Sequence, residues 1–198
     1  MATAANPYIL PINPAERRNP GWWAMVLIIT TEAMLFAYLL FSYFYLGSMA
    51  NTPWPPDGPP DLKLALPNTI ILLVSSGTMW WAESGIRAGG QMRLRIGMLV
   101  TLVLGIIFLV IQGIEYSNKH FALQTNAYSS LFYTITGFHG AHVFVGLLFN
   151  AVVQLRAWLG HFTAERHLAV TNAAMYWHFV DIVWLVVFSS LYLVPHIG

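Results

Sequence analysis

Residues 22–46 read WWAMVLIITTEAMLFAYLLFSYFYL, and Glu32 is the only charged side chain among them. A helix that crosses the hydrocarbon core of a bilayer needs about 20 mostly apolar residues. Four further stretches have this character, at 67–86, 94–116, 129–155 and 173–194. Helices satisfy their own backbone hydrogen bonds in lipid, so we predict an all-α integral membrane protein, a bundle of five transmembrane helices. The prolines of the 51–67 connection are predicted to exclude a helix there.

The composition also favours a membrane protein. Of the 198 residues, 57% are hydrophobic and 9% are charged, whereas soluble domains carry about 25% charged residues. There is no cysteine, which excludes disulfides, thiolate metal sites and iron–sulfur clusters. The net charge of +1 is uninformative about nucleic acid, and nothing else predicts such a partner. We predict an extended, proline-rich arm over 1–21, followed by a single domain over 22–198.

Five spans place the termini on opposite sides of the membrane, and the distribution of basic residues predicts which terminus is cytoplasmic. The side of the N-terminus carries Arg17, Arg18, Arg87, Arg93, Arg95, Arg156 and Arg166. The opposite side carries Lys63 and Lys119. Cytoplasmic loops hold an excess of Lys and Arg, so we predict a cytoplasmic N-terminus and a periplasmic C-terminus.

Several ionisable residues are predicted to lie at membrane depth, where each is costly and therefore a candidate functional residue. With a rise of about 1.5 Å per residue, Glu32 falls near the midplane and four others fall in the inner half of the bilayer. These four are His139, His142, His178 and Asp181. Glu115 is predicted at the outer end of the third span, too far away to join this layer.

The layer has two interpretations. Three histidines with one or two carboxylates could hold zinc or iron, or they could form a hydrogen-bonded cluster that ties helices together without a metal. The HxxH spacing in TITGFHGAHVF (134–144) lacks the HExxH pattern of zinc peptidases and the paired ExxH of di-iron bundles, which favours the cluster. Small residues beside the histidines predict a close helix contact there; they are Gly137, Gly140 and Ala141. Glu32 is interpreted either as hydrogen-bonded to a neighbouring helix or as a proton-carrying or lipid-contacting group.

Five stretches, in order and with matching spacing, resemble subunit III of haem–copper oxidases, and more closely of cytochrome c oxidase. They are TEAMLFAYLLFSYFY (31–45), WPPDGPPDLKLALPNTIILLVSSGTMWWA (54–82), LGIIFLVIQGIEY (104–116), YSSLFYTITGFHGAHVFVGLLF (128–149) and HFTAERHLAVTNAAMYWHFVDIVWLVVFSSLYLV (161–194). TGFHGAHV together with YWHFVDIVW is the most specific part.

The resemblance implies a non-redox subunit III of an aa3-type cytochrome c oxidase, with no catalytic centre and no metal of its own. Subunit I is then the main contact and holds the haems and the copper of the oxygen-reducing site, and subunit II receives electrons from cytochrome c. A small subunit IV is a further implied partner. The family role is to bind structural phospholipid and to support proton uptake and the stability of the oxygen-reducing site.

The resemblance also gives expectations for individual residues. Glu32 matches the buried glutamate of the family, which is associated with proton or lipid interactions. The histidines become members of a structural polar network that comprises His139, His142, His178, Asp181 and Glu115. Juxtamembrane arginines are expected to contact lipid phosphates; they are Arg87, Arg93, Arg95 and Arg156.

The chain departs from the long form of the family, which has seven helices, and lacks the first two. Five-helix forms are usual in many bacterial oxidases, so we expect a bacterial cytoplasmic membrane. Thr171 replaces a frequent glutamate, and WAES replaces a WAHH-type end of the second helix. The alternatives are subunit III of a quinol oxidase, an orphan subunit linked to nitric oxide reductase, or an intramembrane metalloenzyme that uses His139, His142, His178 and Asp181. A small transporter is disfavoured because no inverted repeat or broken helix is evident.

Overall fold

The computed structural model describes residues 20–51, 53–56 and 58–197. Within this part of the chain, every long element is a helix: α1 (Pro20–Met49), α2 (Leu62–Arg87), α3 (Gln91–Ser117), α4 (Ala127–Trp158) and α5 (Leu168–Phe188). α5 continues through a π-helical segment, Ser189–Leu193, into a helical turn, Val194–Ile197. Five helices are long and apolar enough to cross a membrane, which confirms the predicted all-α, five-helix fold.

The helices extend beyond the predicted spans. α2 begins at Leu62 and includes Pro67, so the prediction that prolines exclude a helix up to residue 67 was wrong. A proline at the sixth position of a helix removes the hydrogen bond to the carbonyl oxygen four residues earlier, here that of Lys63, and its ring crowds that oxygen, so α2 contains Pro67 despite a local cost. Of the predicted N-terminal arm, residues 1–19 lie outside the described residues, whereas Pro20 and Gly21 belong to α1. Arg17 and Arg18 also lie outside them.

α5 lies at the centre of the bundle and packs against α1, α2 and α4. Two of its tryptophans are almost fully buried. The indole N–H of Trp177 donates to Ser75 Oγ at 3.0 Å, and that of Trp184 donates to Thr69 Oγ1 at 2.9 Å. Both acceptors lie on α2, so these bonds fix α5 to α2 at two levels and leave neither indole N–H unsatisfied in an apolar interior.

Two glycines allow α3 and α4 to approach Trp177. A Cβ atom at Gly105 of α3 would lie 2.6 Å from Trp177 Cη2, and one at Gly146 of α4 would lie 3.1 Å from Trp177 Cε3. By contrast, a Cβ at Gly137 would meet nothing within 4 Å, and one at Gly140 would meet only Leu109 Cδ2, at 3.9 Å. The close contact predicted beside the histidines is therefore wrong, and the tight packing lies around Trp177 instead.

One end of the bundle gathers the end of α2, the start of α3 and the end of α4. Gln91 Nε2 donates to the carbonyl oxygen of Phe162 at 2.6 Å, and Arg95 Nε donates to that of Ala157 at 3.1 Å. The arginines of these segments therefore share one end; they are Arg87, Arg93, Arg95 and Arg156. Lys63, at the start of α2, and Lys119, after the end of α3, lie at the opposite end.

Candidate functional site

Glu32 of α1 and His142 of α4 contact each other inside the predicted membrane-spanning region. His142 Nε2 lies 2.9 Å from Glu32 Oε2, and His142 Nδ1 lies 2.7 Å from the carbonyl oxygen of Phe138. The Glu32 side chain is 35% exposed and that of His142 is 13% exposed. The contact therefore lies at the edge of the α1–α4 interface, where the glutamate can be reached from the bundle surface.

The geometry of His142 limits the proton arrangements of this contact. A carbonyl oxygen only accepts, so Nδ1 must carry a hydrogen and donate to Phe138. Nε2 then either accepts from a protonated Glu32 or, in the imidazolium form, donates to the Glu32 carboxylate. Both forms contain the same number of protons and are neutral overall. The two residues thus share one proton at membrane depth without exposing a net charge to lipid.

His139, three residues earlier on α4, shares the Phe36 ring of α1 with His142, at 6.4 and 5.0 Å between ring centroids, but its other surroundings differ. Its side chain is buried, and its ring centroid lies 4.8 Å from that of Trp184 and 5.8 Å from that of Phe108. Neither ring nitrogen has a hydrogen-bond partner among the described residues. Three residues turn a helix by about 300°, so His139 points about 60° away from His142. It faces mainly α3 and α5, whereas His142 faces Glu32 of α1.

His178 and Asp181 of α5 form a second polar group with Ser76 of α2. His178 Nδ1 lies 2.7 Å from Ser76 Oγ, and Asp181 Oδ2 lies 4.0 Å from the same nitrogen. The Asp181 side chain is 5% exposed, and its oxygens have no hydrogen-bond partner in the part of the chain that the structure describes. The His178 side chain is 33% exposed. Sequence reasoning missed Ser76, because a serine in an apolar span carries no signal of its own.

Glu115 lies at the opposite end of the bundle from the arginines and pairs with Lys119. Lys119 Nζ lies 2.9 Å from Glu115 Oε1, and the Tyr192 hydroxyl donates to the same oxygen at 2.8 Å. The side chains of Lys119 and Glu115 are 10% and 5% exposed. The ammonium also lies 5.0 Å from the centroid of the Phe132 ring, within the range of a cation–π interaction. Sequence reasoning used Lys119 only as a topology signal, although its (i, i+4) spacing from Glu115 indicates this pair.

The residues predicted to share one layer thus occupy three separate surroundings. Glu32 and His142 meet between α1 and α4, His139 lies among aromatic rings, and His178 and Asp181 lie between α2 and α5. Across residues 20–51, 53–56 and 58–197, no three side chains of His, Cys, Asp or Glu come together as a metal-binding group.

The arginines at the other end of the bundle make local contacts with protein groups. Arg87 contacts Glu83 with 2.5 Å between Nη2 and Oε1, and its side chain is 59% exposed. The guanidinium of Arg95 lies 5.2 Å from the centroid of the Trp158 ring, and that of Arg156 lies 5.5 Å from that of Phe162. A guanidinium has five N–H donors, so these contacts leave donors for a further anionic partner.

Comparison with known proteins gives one consistent match. The family model described as cytochrome c oxidase subunit III matches residues 19–195. Over 178 residues, the chain is 41% identical to cytochrome c oxidase subunit 3 of Myxine glutinosa, 39% identical to that of Scyliorhinus canicula and 40% identical to that of Gadus morhua. Each of these alignments covers 86% of this chain and 68% of the relative.

Proposed function

The chain belongs to the cytochrome c oxidase subunit III family, and we propose that it is the non-redox subunit III of an aa3-type cytochrome c oxidase in the cytoplasmic membrane of a bacterium. The observation that carries the proposal is the family match over residues 19–195, which include all five long helices. Membership makes the chain a multi-pass membrane component of the oxidase complex and of the respiratory chain.

We propose that this subunit has no catalytic centre and binds neither haem nor copper, which belong to subunits I and II. The contacts of His142 support this, because both ring nitrogens are engaged, by Glu32 and by Phe138. A metal at His142 would have to displace one of these hydrogen bonds.

The proposed role is structural support of subunit I, which is the main contact. Subunit II and a small subunit IV are the further proposed partners. Residues 22–198 then act as one domain whose helices are held by interior polar and aromatic contacts. We assign a structural role to five polar residues. His142, His178 and Glu115 act through hydrogen bonds, Asp181 lies beside His178, and His139 packs against aromatic rings. A rigid bundle of this kind can hold the surroundings of the oxygen-reducing site in place during turnover.

Glu32 is assigned a role in proton or lipid interactions. Its carboxyl group shares a proton with His142, and its side chain is 35% exposed at the surface between α1 and α4. A proton-binding group that is accessible at membrane depth can support proton uptake and can contact a bound phospholipid.

We propose that the arginine-rich end of the bundle faces the cytoplasm, which places the C-terminus in the periplasm. The donors that remain on the guanidinium groups then lie at the level of the inner-leaflet headgroups. Such clusters attract anionic lipid, so we assign lipid-phosphate contacts to Arg87, Arg93, Arg95 and Arg156.

The test is purification of the tagged chain from its own membranes in a mild detergent. A reduced-minus-oxidised optical spectrum, a metal assay, and oxidation rates with ferrocytochrome c and with a quinol are then recorded. We expect haem A and copper with larger partner chains, and oxidation of ferrocytochrome c. Quinol oxidation without cytochrome c oxidation would identify a quinol oxidase. A lone chain with stoichiometric zinc or iron and no haem would overturn the proposal in favour of a metalloenzyme.

A further inference from the structure

α5 presents one face that the other described helices leave open. We call this face the α5 stripe, and it consists of Met175, His178, Ile182, Val186 and Ser189. Successive members are three or four residues apart, so they lie on one side of the helix. Ile182 is 61% exposed and Val186 is 47% exposed.

The α5 stripe lies between α1 and α2. On one side, Asn172 Nδ2 donates to the carbonyl oxygen of Gly21 in α1 at 3.1 Å. On the other side, His178 contacts Ser76 of α2. α1 and α2 both pack on α5 but hardly touch each other along their described lengths. The stripe is therefore the floor of a groove with a helix on each side.

His178 distinguishes this groove from the aliphatic faces of α3 and α4. Its Nδ1 is bonded to Ser76 Oγ at 2.7 Å, and its side chain is 33% exposed. In either neutral tautomer one ring nitrogen donates and the other accepts, so Nε2 keeps one hydrogen-bonding function for which the described residues supply no partner. His178 lies five residues inside the predicted 173–194 span, about 8 Å from the edge of that span along the helix axis. Lipid tails at that depth offer no hydrogen-bond partner.

Other exposed faces at similar depth are suited to lipid. α3 exposes Val103, Ile106 and Val110, and α4 exposes Leu148 and Val152. These side chains are aliphatic and need no hydrogen-bond partner from their surroundings. The α5 stripe differs because it places an imidazole nitrogen between α1 and α2 for which the described residues supply no partner.

We propose that the α5 stripe binds a transmembrane helix from another subunit of the oxidase. That helix places a hydrogen-bonding side chain opposite His178. This inference rests on the function proposed above. A second helix can insert its side chains between residues spaced three and four apart. Polar side chains at membrane depth commonly bond across helix–helix interfaces, and a neighbouring subunit can supply such a group where lipid cannot.

The first test is site-specific photo-crosslinking in native membranes. The photoreactive amino acid p-benzoylphenylalanine replaces Ile182 in the stripe or, as a control, Val152 on α4, which is 58% exposed. After irradiation the oxidase is purified and its crosslinked bands are identified. We expect a crosslink from position 182 to another oxidase subunit and only background from position 152. Equal yields, lipid adducts alone at 182, or a crosslink to a second copy of this chain would overturn the proposal.

The second test separates the intersubunit contact from the internal one. We expect His178→Ala to weaken retention of this subunit in the purified complex, with an association constant lowered about tenfold, equivalent to a membrane hydrogen bond of about 1.4 kcal/mol. His178→Gln keeps a hydrogen-bonding group and is expected to restore most of the retention. Ser76→Ala removes only the internal bond and is expected to leave retention unchanged. Equal losses in His178→Ala and Ser76→Ala would assign His178 to the bundle alone.

Failure of this inference differs from failure of the proposed function. A wild-type chain that purifies without a haem-bearing partner would refute the proposed function. A haem-bearing complex that crosslinks through position 152 and not through position 182 would refute only the proposed binding of a helix to the α5 stripe.

Discussion

We expect Gly105→Ala to destabilise the bundle by forcing α3 away from Trp177. The new Cβ atom would lie 2.6 Å from Trp177 Cη2 and 2.7 Å from Leu147 Cδ2. The leucine methyl group can rotate away, but the indole cannot, because its N–H is bonded to Ser75 Oγ at 3.0 Å. The strain must therefore be relieved by a shift of α3 or by loss of that hydrogen bond.

The magnitude follows from two opposing effects. An extra methyl group in a closely packed interior costs about 1–3 kcal/mol, and replacement of glycine by alanine within a helix returns up to about 1 kcal/mol. Because an approach of 2.6 Å to a fixed ring places the cost at the upper end of its range, the net destabilisation is about 2 kcal/mol. For a chain of this size, that corresponds to a melting temperature lower by about 4–8 °C.

Gly113→Ala, on the same helix, is the matched control, because a Cβ at Gly113 would meet nothing within 4 Å. It has the same gain in helix propensity and no clash, so its melting temperature is expected to equal or exceed that of the parent. The assay heats tagged protein in a mild detergent and measures the fraction that remains monodisperse by fluorescence-detected size exclusion. A Gly105→Ala variant as stable as Gly113→Ala would refute the packing assigned to Trp177.

Three further predictions concern the polar contacts. His142→Ala leaves Glu32 without its partner and is expected to lower stability by about 1–3 kcal/mol; an unchanged melting temperature in detergent would contradict this. Glu32→Gln keeps a hydrogen bond to His142, so we expect normal assembly with altered phospholipid content or a shorter turnover lifetime. These are measured by lipid mass spectrometry and oxygen consumption, and loss of assembly would refute this prediction. Lys119→Met leaves the buried Glu115 carboxylate without its cation and is expected to cost about 3 kcal/mol. The double variant with Glu115→Gln should recover most of that loss, and a double variant no more stable than Lys119→Met would argue against the pair.

The number of helices could be predicted from the sequence, but their ends could not. Apolar runs of about 20 residues report the part of a helix that lies in hydrocarbon, and they carry little information about turns that continue beyond it. α2 begins at Leu62 and continues through Pro67, although proline there removes one backbone hydrogen bond and crowds the carbonyl oxygen of Lys63. The central position of α5 was likewise not predictable, since it depends on which glycines face Trp177, and all helical glycines look alike in a single sequence.

The position of each ionisable residue along its helix was predictable, whereas the grouping of these residues depended on direction around each helix. A rise per residue places His139 and His142 within about one turn of each other. α4, however, packs against α1 on one side and against α3 and α5 on others. An angular separation of about 60° is then enough to direct His142 to Glu32 and His139 to the rings of Trp184 and Phe108. An HxxH pair holds one metal only where a nitrogen of each ring turns to a common point. Here both nitrogens of His142 are engaged by Glu32 and Phe138, whereas the ring of His139 packs among aromatic rings.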